Sequence, residues 1–255
     1  MPKIIKTISL LLALFLLYQT TAQARDLRVC THMGFEPYVI KEGKSLRGID
    51  IDIVLQIIKN MKQPAEIRAF PWKRLLASIR EGECDVGFSL FDTEKRRQFA
   101  DYIFTVPLHY STFSVFVRKD KEFDFNSIYD FFGKKIAHNR GFALTIGFEQ
   151  AINDGKIQRL TFDDADNALK MLEKGRIDAI LDNEARFRYY LKKNGKLGQI
   201  KSLTIPFMPH HPAFLVISRK SSFPNSQELK NKIEAELKKL HLDGTIMKIT
   251  TQYLN

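Results

Sequence analysis

One unit occurs twice in this chain, and it constrains the fold more than any other feature. Leu76-x-x-Ile79-x-x-Gly82-x-x-Asp85 runs into Val86-Gly87-Phe88-Ser89. Leu169-x-x-Leu172-x-x-Gly175-x-x-Asp178 runs into Ala179-Ile180-Leu181-Asp182. Apolar residues at this spacing share one face of a helix, and glycine ends it. The apolar run after the aspartate reads as a strand buried on both faces. The copies start 93 residues apart, beyond the roughly 20–50-residue period of solenoid repeats. That distance suits one helix–turn–strand unit in each of two lobes.

Flanking segments extend the pattern. Leu27 to Thr31 reads as a first strand, followed by the loop Met33-Gly34-Phe35-Glu36-Pro37. Ile51, Val54, Leu55, Ile58 and Met61 share a helical face that Pro64 ends, and Glu66 to Phe70 reads as a second strand. Pro71 then opens the helix of the first repeat. Strand and helix alternating in this way predict an α/β fold with parallel strands. Two β-rich runs, Ser114 to Arg118 and Ala213 to Ser218, predict two extended crossings between the lobes, a hinge with a cleft beside it. In such sheets ligands sit at the carboxyl ends of strands. Those ends fall at His32 to Tyr38, Phe70 to Trp72, Ser89 to Arg96, His138 to Ala143, and Asp182 to Asn183.

The amino terminus predicts export. Lys3 and Lys6 precede the apolar run Ile8 to Leu17, and Ala22-Gln23-Ala24 follows as a small-x-small cleavage pattern. The run falls well short of the roughly 20 apolar residues that span a bilayer, so residues 1–24 read as a signal peptide. Its removal takes two lysines and no acid, which lowers the formal charge from +11 to +9 on 231 residues. The remaining basic residues are dispersed rather than blocked as in a nucleic-acid arm, so no nucleic-acid partner is expected. Cys30 follows Leu27-Arg28-Val29, not a lipidation signal. An oxidising compartment permits a disulfide between Cys30 and Cys84. Their apolar, strand-like settings suit plain core equally well, so the sequence leaves the pairing open. The six histidines show no H-x-x-x-H spacing and the cysteines no C-x-x-C, so no metal and no cofactor are expected.

Taken together, the motifs resemble the periplasmic solute-binding proteins of the polar amino-acid uptake type. The resemblance rests on Leu27-Arg28-Val29 leading to Phe35-x-Pro37-Tyr38, Gly48-Ile49-Asp50-Ile51-Asp52, Trp72 before a helix, and Thr93-Glu94-x-Arg96. It continues through Gly133-Lys134-Lys135-Ile136, Gly175-x-x-Asp178-Ala179 and Gly244-Thr245-Ile246. It implies a two-lobed, type II periplasmic-binding fold with two mainly parallel sheets, flanking helices and a two-strand hinge. Residues 25–117 with 213–255 would form one lobe and 118–212 the other. It further implies a monomer that closes on a small solute and delivers it to an ABC transporter permease. Arg96 holds the motif position of the arginine that grips a ligand carboxylate, a task suited to a planar guanidinium. Phe35 and Trp72 hold positions that wall the cleft, with His32, Ser89, Phe91, Phe142, Ala143, Asp182 and Asn183 completing the expected site.

Several positions depart from that pattern. His32 stands where the amino-acid binders carry an acid after the first strand, and Asn183 stands where an aspartate meets the ligand amine. Asp182 lies one residue earlier, on the other face of its strand. The carboxylate grip is kept and the ammonium grip weakened. Two further readings share the scaffold: a periplasmic dehydratase, for which Glu36, Asp92, Asp182 or His32 would serve as general acid, and a receptor reporting its ligand state to a membrane sensor.

Overall fold

The computed structural model describes residues 25–254. The signal peptide expected over residues 1–24 lies outside them. In chain order the strands and helices are β1 (Leu27–His32), β2 (Ile40–Glu42), β3 (Ser45–Arg47), α1 (Ile49–Met61), β4 (Ala65–Phe70), α2 (Trp72–Arg80), β5 (Val86–Phe91), α3 (Glu94–Arg97), β6 (Ala100–Ile103) and β7 (His109–Arg118). Then follow β8 (Lys135–Asn139), α4 (Ile146–Asn153), β9 (Gln158–Phe162), α5 (Ala165–Glu173), β10 (Ala179–Asn183), α6 (Glu184–Lys193), β11 (Ile200–Ser202), β12 (Met208–Ser218), α7 (Ser226–Leu242) and α8 (Thr245–Leu254).

The fold is the expected two-lobed α/β architecture. Parallel strands β4-β1-β5 form the sheet of the first lobe and β10-β8-β9 that of the second. The antiparallel strands β12 and β7 join them into one hydrogen-bonded path. Both crossings lie earlier on their strands than the β-rich runs suggest. Ser114 to Phe116 already pair with β10 in the second lobe, whereas Ala213 to Ile217 pair with β5 in the first. The strands meet each other over His109–Phe113 and Met208–Ala213. The β12 part, Met208-Pro209-His210-His211-Pro212, is rich in histidine and proline and carries little β signal, so the apolar run beyond it stands out instead.

The repeated unit has the same bonding in each lobe. Gly82 and Gly175 take left-handed backbone angles, φ 75 and φ 65, that release the chain from α2 and α5. Asp85 N–H donates to the Arg28 carbonyl at 2.8 Å and its carboxylate accepts from Arg28 N–H at 3.0 Å. Asp178 N–H donates to the Lys135 carbonyl at 2.8 Å and its carboxylate accepts from Lys135 N–H at 2.7 Å. Each aspartate thus pins the start of its lobe's first strand to the repeat, which is the physical reason for an acid at that spacing.

Each lobe's sheet is packed on both faces. In the first lobe, Val29, Val86 and Phe88 pack under Ile53, Val54 and Ile57 of α1 and Leu237 of α7. Leu75 and Ile79 of α2 cover the opposite face with Cys30, Leu90 and Val216. In the second lobe, Phe116, Ile180 and Phe187 lie on one face and Phe131, Phe148 and Leu181 on the other. Each such side chain contributes about 1.5–3 kcal/mol by leaving water. Cys30 and Cys84 are joined as a disulfide, with Cα atoms 5.9 Å apart, linking β1 to the turn before β5. Among the described residues, no helix is long and apolar enough to cross a membrane, and no group of His, Cys, Asp and Glu is arranged to hold a metal ion.

Candidate functional site

The carboxyl ends of β1, β4, β5 and β8 converge between the lobes. They surround a narrow cavity that both lobes line. Each wall follows from local chain geometry. Gly48, at φ 127, lets the N-terminus of α1 approach the loop after β1, and a Cβ there would lie 2.5 Å from the Tyr38 carbonyl. Ile49 and Asp50 N–H groups donate to the carbonyls of Pro37 and Tyr38, both at 3.1 Å, and this fixes the loop that aims Phe35 inward. Pro71 starts α2, whose first residue is Trp72. Thr93 caps α3 by accepting from Arg96 N–H at 3.3 Å, which sets the direction of the Arg96 side chain. The turn at Gly141 brings Phe142 and Ala143 in from the second lobe.

Arg96 is the one side chain with a fixed charge on the cavity wall, and it is 5% exposed. Its guanidinium donates to the Phe91 carbonyl at 2.8 Å and to the Gly141 carbonyl at 3.4 Å, and lies 5.0 Å from the Trp72 ring centroid. Among the described residues no carboxylate forms an ion pair with it. Burial pushes its pKa down, against the opposing pull of Tyr102 and Asp92, yet an arginine remains charged. A buried cation without a counter-ion is costly, and an anion in the cavity would offset that cost.

The remaining walls are aromatic or neutral. Burial, with the Arg186 charge adding to it, pushes the His32 pKa down to about 3, so its ring is neutral near pH 7. His32 lies between Trp72, Phe35 and Phe142, with centroids 5.3, 5.7 and 6.0 Å away. Phe91 meets Phe113 edge-on at 5.6 Å, and Phe142 meets Phe113 at 5.7 Å. Ser89, at φ 67, is held in a left-handed conformation that is strained for a residue with a side chain. Its hydroxyl donates to Asp50, whose other oxygen lies 2.8 Å from His109 Nδ1. His109 Nε2 reaches Ser111 at 3.0 Å, and Asn183 donates to the same hydroxyl at 2.9 Å. This buried chain crosses from one lobe to the other. The aspartate stands between serine and histidine, so no imidazole contacts Ser89 to take its proton, as nucleophilic activation requires.

The family model for bacterial extracellular solute-binding proteins, family 3, matches residues 27–255. The chain belongs to that family. A relative is the probable amino-acid-binding protein YxeM of Bacillus subtilis (strain 168), 25% identical over 220 residues, 86% of this chain and 80% of the relative. Another is the ABC transporter arginine-binding protein 1 of Escherichia coli (strain K12), 25% identical over 88% of this chain and 87% of the relative. Among solved structures, an ancestral arginine-binding protein bound to arginine superposes with a TM-score of 0.76 at 24% identity. The match covers 90% of this chain and 98% of that one, and establishes the shared fold.

In this solute-binding protein, eight of the ten expected site residues line the one cavity: His32, Phe35, Trp72, Ser89, Phe91, Arg96, Phe142 and Ala143. Asp182 and Asn183 do not line it. Asp182 is fully buried, pairs with Arg186 and accepts from Asn183 N–H at 2.7 Å. Asn183 is the N-cap of α6, its side chain accepting from Arg186 N–H at 2.9 Å while donating to Ser111. Helix capping has taken the Asn183 side chain, and the ion pair with Arg186 has taken that of Asp182.

The sequence reading missed two residues. Phe113 lines the cavity from within the β7 crossing, away from the strand ends that were searched. Arg186 of α6 donates to the Gly34 carbonyl at 2.9 Å, tying the second lobe to the loop after β1. Its signal, an arginine four residues after Asp182 on a helix, is common enough to pass unnoticed.

Proposed function

We propose that this chain captures a small carboxylate-bearing solute between its lobes, holds the carboxylate on Arg96, and delivers the solute to an ABC transporter. The carrying observation is the buried guanidinium of Arg96, unpaired among the described residues and facing a cavity walled from both lobes. Relatives named for amino-acid or arginine binding support an amino acid or a related acid as the class of solute. Hinge bending at the β7 and β12 crossings would open the cavity, since each lobe supplies part of its wall. The protein acts as a monomer without catalysis, released into the periplasm after cleavage behind Ala24. In this reading the lobes divide at the β7 and β12 crossings, His109–Phe113 and Met208–Ala213, earlier on β7 than the boundary expected after residue 117.

A thermal-shift screen of amino acids and small carboxylates tests the reading. A ligand at 100 times its Kd adds about 2.7 kcal/mol to stability, a rise in Tm of several degrees for this size. Flat melting curves across the panel would contradict it, and so would turnover of prephenate or arogenate.

A further inference from the structure

We infer that the solute is a carboxylate whose remainder is uncharged and apolar, and that it carries no ammonium group. The inference rests on the carboxylate reading above and narrows it.

Charge balance is the first ground. Arg96 contributes one positive charge to the wall, and no acid lines the cavity. His32, buried and neutral, stands at the wall in place of an acid. A simple carboxylate brings the enclosed charge to zero. A zwitterionic amino acid leaves one positive charge enclosed, and a basic amino acid leaves two. An enclosed charge without a partner is disfavoured.

The supply of hydrogen-bond acceptors is the second ground. An ammonium group needs up to three acceptors. The Phe91 carbonyl already accepts from Arg96 at 2.8 Å and from the Tyr102 hydroxyl at 2.6 Å. The Gly141 carbonyl accepts from the Trp72 indole at 2.8 Å and from Arg96 at 3.4 Å. Asp50 lies behind Ser89 with one oxygen on that serine and the other on His109. Asp182 and Asn183 are engaged at the start of α6. Of the polar side chains on the wall, Arg96, His32 and Ser89, only the Ser89 oxygen and a ring nitrogen of neutral His32 can accept.

The third ground concerns cation–π contact. A cationic side chain would seek an aromatic face, yet the Arg96 guanidinium already lies 5.0 Å from the Trp72 ring centroid. A second cation there would meet like charge.

Calorimetry on the whole protein with matched ligands decides the matter. The pairs are 3-phenylpropionate with L-phenylalanine and 4-methylpentanoate with L-leucine, with L-arginine alongside. Within at least one pair the des-amino acid is expected to bind about tenfold or more tightly than its amino acid, and L-arginine more weakly than either des-amino acid. An amino acid that equals or exceeds its partner in both pairs, or L-arginine as the tightest ligand, overturns this inference and leaves the carboxylate reading standing. Binding of none of the five overturns both. In the variant His32→Asp, affinity is expected to rise for the amino acids relative to their partners. An equal shift for both members of each pair in a folded variant counts against the charge argument.

Discussion

The indole N–H of Trp72 donates to the Gly141 carbonyl oxygen at 2.8 Å, a hydrogen bond that joins the two lobes at the rim of the cavity. Trp72 is also a cavity wall and lies beside the Arg96 guanidinium. The same residue therefore lines the site and fastens it. Trp72→Phe keeps an aromatic wall and removes the donor. Losing one such bond costs about 0.5–1.5 kcal/mol, so affinity is expected to fall about three- to tenfold. Small-angle scattering with ligand should show a larger open fraction. Unchanged affinity and unchanged scattering would remove the fastening role.

Asp85 carries a second prediction, on pH. Burial alone would raise its pKa, but bonds from the Arg25 and Arg28 side chains, Arg28 N–H and Ser221 outweigh burial and hold it well below the usual carboxylate range. Its folded pKa is thus depressed. The stabilisation is fully present above the unfolded value of about 4 and fades as pH falls from there toward the folded value. Asp85→Asn is expected to lower stability by about 2 kcal/mol at pH 7, with partly exposed arginines limiting the effect. The gap between variant and parent should begin to narrow below about pH 4 and go on narrowing toward the folded value. A gap that stays constant down to pH 2.5 would show that the charge is not what stabilises.

The disulfide supplies a third. Cys30 and Cys84 close a loop with a sequence separation of 54. Replacing both by alanine is expected to cost about 2–5 kcal/mol in urea unfolding. Binding should persist, because neither cysteine lines the cavity. Loss of binding in a folded double variant would mean that the bridge also sets the position of His32 or Ser89.

Legibility in the sequence followed the range of the contacts. The repeat and the strand ends were visible because each depends on spacing within a short segment, and the cavity residues followed from the motif positions of the resemblance. Arg96, for instance, is aimed by Thr93, three residues away. Asp182 and Asn183 lie off the cavity because motif position locates a residue on the chain but not the competing bonds of its side chain, an ion pair for Asp182 and a helix cap for Asn183. Contacts across long separations were hidden altogether. Arg186 reaches Gly34, and His109 reaches Asp50, through pairings that no local pattern encodes. The disulfide stayed undecided because two cysteines in apolar segments suit bonded and unbonded states alike until their Cα separation is known.

On the proposed reading Arg96 serves the ligand and not the fold. An unpaired buried guanidinium costs stability in the empty protein, whereas truncating one partner of a buried charge pair costs about 2–5 kcal/mol in binding. The direct measurement is calorimetry of Arg96→Met and the parent with the tightest-binding carboxylate of the panel, beside melting of both without ligand. The account predicts a loss of affinity of about thirtyfold or more, with the empty variant melting at the same temperature or higher. Affinity within about threefold of the parent, in a variant that melts normally, would contradict it.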